Sequence, residues 1–101
     1  MPEQPKNPPA MEIQIKADEN TMAGHYSNSA RITHSVDDVV LDFMFVHGNP
    51  PFGKLLSRTI LSPAHAKRLL RALAENLKRY EEIFGTIKEG PEPPAHGGYV
   101  Q

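Results

Sequence analysis

Residues 39–61 carry more apolar surface than one layer of structure can hide. In VVLDFMFVH (39–47), successive side chains of an extended chain point to opposite faces. Leu41, Phe43 and Phe45 therefore fall on one side, and Val40, Met44 and Val46 on the other. The next run, KLLSRTIL (54–61), is rich in branched residues and reads as a second strand, with Leu55 and Leu61 opposed to Leu56 and Ile60. Both faces of this pair are apolar, and each needs a cover.

The flanking segments suggest what the covers are. HYSNSARITH (25–34) alternates with one wet side, Tyr26, Asn28, Ala30 and Ile32 lying opposite Ser27, Ser29, Arg31 and Thr33. MEIQIKAD (11–18) alternates as well, Met11, Ile13, Ile15 and Ala17 facing away from Glu12, Gln14, Lys16 and Asp18, and reads as a further strand. SVDD (35–38) supplies a short turn. GNPPFG (48–53) must interrupt the apolar run, because adjacent prolines cannot donate to a ladder, and a hairpin is the simplest connection. Ser62 is then a good N-cap ahead of Pro63, and Gly85 stands where a C-terminal cap is wanted.

Between those caps, Ala66, Leu69, Leu70, Leu73, Leu77, Tyr80 and Phe84 recur at spacings of three and four, the stripe of a core-facing helix. At 1.5 Å per residue the helix is about 33 Å long, close to the roughly 30 Å of a nine-residue strand. The predicted fold is α+β: a four-stranded antiparallel meander with one long C-terminal helix packed across the sheet. Residues 1–10 are Pro-rich and residues 88–101 Pro/Gly-rich, so both are expected to be disordered around a single domain spanning 11–87. The PEPP stretch of the tail lacks the basic flanks of a proline-rich docking peptide.

A single helix covers one face of such a sheet, and the nearest cover for the other is a second copy of the chain. The sequence thus predicts a homo-oligomer, a dimer or a dimer of dimers, joined through Val40, Met44, Val46, Leu56 and Ile60.

Composition excludes much else. Eleven basic against twelve acidic residues give no bulk attraction to nucleic acid or to an anionic membrane. No cysteine is present, which removes disulfides, thiolate nucleophiles and sulfur-ligated zinc and is compatible with a reducing compartment. No apolar run reaches the length of a membrane span, and the N-terminus has no signal-peptide core. A cytoplasmic protein without a membrane partner is expected.

The stretch YSNSARITHSVDDVVLDF, followed by SRTILSPAHAKRLLRALAENLKRYEEIFGTI, resembles the prokaryotic family known as domain of unknown function 3467. The residues that carry the resemblance are Tyr26 and Asn28, Leu41-Asp42-Phe43, the strand around Arg58, Ser62-Pro63, and Tyr80-Glu81-Glu82 ahead of Phe84-Gly85. The match runs from about Ile13 to Ile87. It implies no activity, cofactor or catalytic residue.

The chemistry the residues could support is limited. If the SVDD turn makes residue 34 face residue 39, Arg31 stands opposite Asp42, and the next hairpin can bring Arg58 to its other side. A carboxylate in an apolar strand is costly to bury unpaired, and two guanidiniums can neutralise it. Arg31, Asp42 and Arg58 are therefore read as a structural charge row, with a small anion site on the two arginines as the competing reading. The same register brings His25 and His47 to one end of the hairpin, but no two histidines have the spacing of a ready-made metal site.

Asp42 with His34 is the only acid–base pair in view, and there is neither a nucleophile elbow nor a glycine-rich phosphate loop. No catalytic residue, metal ligand set or cofactor is expected. Lys67, Arg71 and Lys78 form a weak basic stripe, interrupted by Glu75, Glu81 and Glu82, where nucleic acid could bind. The expected function is non-enzymatic: a self-associating protein that presents a surface to another macromolecule. Nucleic-acid binding by the helix is the first alternative. The second comes from the order of elements, four strands and then a long helix, which is similar to that of the bacterial export chaperone SecB, a holder of unfolded chains.

Overall fold

A computed structural model describes residues 11–91; the expectations for residues 1–10 and for most of the tail lie outside that range. The chain passes through a short helix α1 (Glu19–Ala23), strands β1 (Ser29–His34), β2 (Val39–His47) and β3 (Phe52–Leu61), and a long helix α2 (Pro63–Phe84). The strands form one antiparallel sheet in the order β1-β2-β3. The most apolar strand is therefore central.

Two turns set the register. In the first, the Ser35 N–H donates to the Asp38 carbonyl at 2.9 Å, and Ser35 Oγ accepts from the N–H groups of Asp37 and Asp38, a serine turn that leaves His34 facing Val39. In the second, Gly48 has φ +90°, and a Cβ there would stand 3.3 Å from the Pro50 carbonyl oxygen. Only glycine takes that conformation without strain. The resulting pairings bring Arg31 opposite Asp42 on one side and Arg58 opposite it on the other, as the sequence suggested.

The β2–β3 ladder is interrupted once. Phe43 pairs with Ser57 but Met44 pairs with Leu55, so Leu56 is the extra residue of a bulge. A bulge changes the alternation beyond it. Leu55 consequently shares the face of Met44, Asp42 and Ile60, whereas strict alternation had put Leu56 there. Leu56 instead lines a cleft with Phe43 on the opposite face.

Two expectations are corrected. Residues 11–18 are not a strand; among the described residues they make no ladder, and Ile13 and Ile15 are more than 80% exposed. Alternation makes a segment competent to pair, but pairing is stable only where the side chains of its apolar face find cover. At the end of that segment Asp18 caps α1 instead, accepting from the Thr21 N–H at 2.7 Å. That bond holds the Asp18 carboxyl below its ordinary pKa.

The helix forms where it was expected, from the Ser62 cap to Gly85, but it does not pack across the sheet. It meets the sheet at β3, and none of its residues is buried. The reason is the connection. Only Ser62 separates β3 from α2, and folding a helix back over its sheet takes a loop of roughly two to six residues. The buried apolar side chains among the described residues are then just Leu41, Met44 and Leu61.

Ser62 Oγ accepts from the His65 N–H at 3.1 Å, satisfying one of the orphan donors at the helix start. Ser62→Ala should lower stability by about 1 kcal/mol, and Ser62→Asp should retain the cap. Urea denaturation followed by circular dichroism measures both.

Candidate functional site

The one buried ionisable group among the described residues is the natural place to look for chemistry. Asp42 is 2% exposed, in the middle of the central strand. Alternation places its side chain with those of Val40, Met44 and Val46, where an unpaired carboxylate would be very costly. Arg58 answers it with a two-pronged bond: Nε donates to Oδ1 at 2.7 Å and Nη2 to Oδ2 at 2.9 Å. The fork matches the carboxylate plane and makes the pair strong as well as directional. Half of the Arg58 side chain remains in solvent while Asp42 is covered. Arg31 holds the position across from Asp42 on β1.

This geometry bears on both readings of the charge row. The Nε–Nη2 edge of Arg58, the edge that faces the sheet's own carboxylate, is taken by Asp42. The site is thus built to satisfy its own carboxylate. His34 does not join it. The pairings His34 with Val39 and Arg31 with Asp42 put the histidine and the aspartate on opposite faces of the sheet, so the acid–base pair suggested by the sequence is not assembled.

A second cluster lies at the far end of β2, and pattern reading missed its mechanism. The Asn28 side chain behaves as an added strand residue: Nδ2 donates to the Val46 carbonyl at 2.8 Å, and Oδ1 accepts from the Val46 N–H at 2.9 Å. The Asn28 N–H and Ser27 Oγ both donate to the Met44 carbonyl. This clamp extends the grip of β1 beyond its last ladder pair. An amide at the end of an alternating run was the available signal, since only Asn or Gln can imitate both backbone groups at once.

Beside the clamp, Tyr26 meets Phe45 edge-on with ring centres 6.3 Å apart, and His47 lies 4.2 Å from Phe52. His25, Tyr26, Ser27, Phe43, Leu56 and Ser57 line an open cleft of about 520 Å³. Among the described residues no group of three or more His, Asp or Glu side chains is placed to hold a metal ion, and no helix is long and apolar enough to cross a membrane.

Lys67, Arg71 and Lys78 are all exposed on α2. Arg79 is 3.5 Å from Glu75 one turn away, as expected of a solvated helix surface. Of the residues expected to join two copies, Ile60 is 60% exposed, Val40 and Val46 are half-buried, and Met44 is already buried within the chain at 7%.

The fold and the charge row define the class: a small α+β protein with a three-stranded antiparallel sheet pinned by a buried arginine–aspartate fork and followed by one long helix. The family model described as protein of unknown function DUF3467 matches residues 1–89, and the chain belongs to that family. No curated protein and no solved structure matches it.

Asp42→Ala should destabilise the fold by about 2–4 kcal/mol, below the largest losses for broken buried pairs because Arg58 keeps contact with water. Arg58→Lys should recover only part of that stability, since an ammonium cannot bridge both carboxylate oxygens. Thermal melts of the two variants make the comparison; an unchanged melting temperature in Asp42→Ala would contradict the structural role of the fork.

Proposed function

We propose that the protein is a non-enzymatic, self-associating module that presents a surface to another macromolecule. One observation carries this reading: among the described residues the isolated chain hides three apolar side chains, while Ile32, Leu55 and Ile60 on the sheet and the whole leucine stripe of α2 stay exposed. Fixing a chain of this size costs on the order of 1–2 kcal/mol per residue in backbone entropy. So small a core cannot offset that. Covering even about 400 Å² of apolar surface per subunit contributes roughly 10 kcal/mol before association costs.

A second copy supplies such a cover symmetrically. On the sheet, the face formed by Val40, Met44, Val46 and Ile60, with Leu55 in the place expected of Leu56, is one such surface. The holdase reading rested on four strands ahead of the helix, and three are present among the described residues.

Sedimentation velocity at micromolar concentration is expected to show a dimer or a dimer of dimers; a stable monomer would end this reading. Ile60→Lys is the cleaner test of the sheet face, because Met44 is buried in its own subunit and its replacement by lysine would unfold the chain as well. The rival, nucleic-acid binding through Lys67, Arg71 and Lys78, separates on salt. Binding to RNA or DNA that weakens steeply between about 50 and about 200 mM salt supports the rival, and no binding at the lower concentration removes it.

A further inference from the structure

The apolar stripe of α2 has a stricter period than core packing needs. Ala66, Leu70, Leu73, Leu77, Tyr80 and Phe84 follow one another at steps of four and three in unbroken alternation. That is the 3.5-residue repeat of a seam between two helices, and Leu69 and Ile83 widen it on one flank. From Leu70 to Phe84 the seam is uncovered, Leu77 being 44% exposed and Phe84 71%, while Ala66 at its start is half-buried. We infer that two copies of the chain associate through α2, side by side and antiparallel, about a two-fold axis at the level of Glu75. The inference rests on the self-association proposed above and identifies one of its surfaces.

Three features select a second copy in this orientation. The first is size. Antiparallel alignment about residue 75 packs Leu70 on Tyr80 of the other copy, Leu73 on Leu77, and Ala66 on Phe84, so that the largest seam residue meets the smallest. Parallel alignment would stack Phe84 on Phe84 and Ala66 on Ala66, crowding one end and leaving the other underfilled.

The second is charge. His65, Arg68, Arg71, Glu75, Lys78, Arg79 and Glu82 occupy positions of the repeat that point away from the seam, and Glu75 and Arg79 pair with each other there. Only Lys67 and Glu81 flank it. They are two heptads apart, and antiparallel alignment sets Lys67 of each copy beside Glu81 of the other. In a parallel pair neither meets an opposite charge. Glu81 is held in place from within its own chain, its Oε2 accepting from the Ile87 N–H at 2.8 Å.

The third is self-complementarity. On the other flank Leu69 faces Ile83 of the second copy, and Asn76 meets Asn76 next to the axis. A two-fold interface must be complementary to itself at its centre, and an amide, both donor and acceptor, satisfies that condition.

The test is a charge exchange read by sedimentation velocity or native mass spectrometry. Lys67→Glu and Glu81→Lys each turn both flanking attractions into repulsions, and each variant alone should dimerise roughly tenfold more weakly than the unaltered chain. Mixed one to one, they should form a heterodimer of about the original affinity, because one chain then brings two acidic flanks and the other two basic ones. Both positions are exposed, and unchanged circular dichroism of each variant separates weakened association from unfolding. If the unaltered chain is oligomeric but either variant keeps its affinity, or the mixture fails to recover, the helix pairing is wrong and self-association stands on another surface. A monomeric unaltered chain overturns both.

Discussion

Asp42 can sit in the central strand only because Arg58 reaches it with both prongs of its guanidinium. A one-residue slip between β2 and β3 would turn the two side chains to opposite faces and strand a carboxylate among valines and methionine. The pair therefore fits the register that the two turns set, and it would be lost in neighbouring registers of similar apolar content. The rest of β3 follows from it: Leu56 becomes the extra residue of the bulge, Leu55 turns to the Met44 face, and Leu61 is delivered to the end of the sheet where Ser62 starts α2. A charge pair of this kind adds less to stability than its Coulomb energy suggests.

The chain is locally well determined and globally underprovided. Its helix ends are capped by Asp18 and Ser62, its turns are held by Ser35 and Gly48, and the Asn28 clamp ties the start of β1 to β2. No buried polar side-chain atom among the described residues lacks a partner. Against this local economy, the apolar surfaces of sheet and helix do not meet within one chain. On the proposed reading each is covered by another copy of the chain, helix against helix along the α2 seam, and the sheet face offers a second surface for self-association.

The residues through which the chain resembles its family turn out to have architectural duties. Asn28 clamps Val46, Asp42 holds Arg58, and Ser62 opens the helix. Glu81 helps to close it, its carbonyl accepting from the Gly85 N–H and its carboxylate from the Ile87 N–H. Such a set describes a scaffold.

Much of this was legible in the sequence because it depends on neighbours along the chain. Alternation located the three strands, SVDD and GNPPFG placed the turns, Ser62-Pro63 and Gly85 bounded the helix, and strand parity then put Asp42 between Arg31 and Arg58. What the sequence did not decide was every question of cover. MEIQIKAD has the pattern of a strand, yet pairing depends on a distant edge and a second layer, and neither is encoded in those eight residues. The bulge at Leu56 arises from fitting two strands together, so no local signal marks it, and it moved Leu56 to the other face. The helix has the length and the stripe to lie on the sheet, but the one-residue link at Ser62 keeps it off. Short-range hydrogen bonding and turn geometry are written residue by residue, whereas burial belongs to pairs of surfaces, and only the folded chain shows which surfaces find each other.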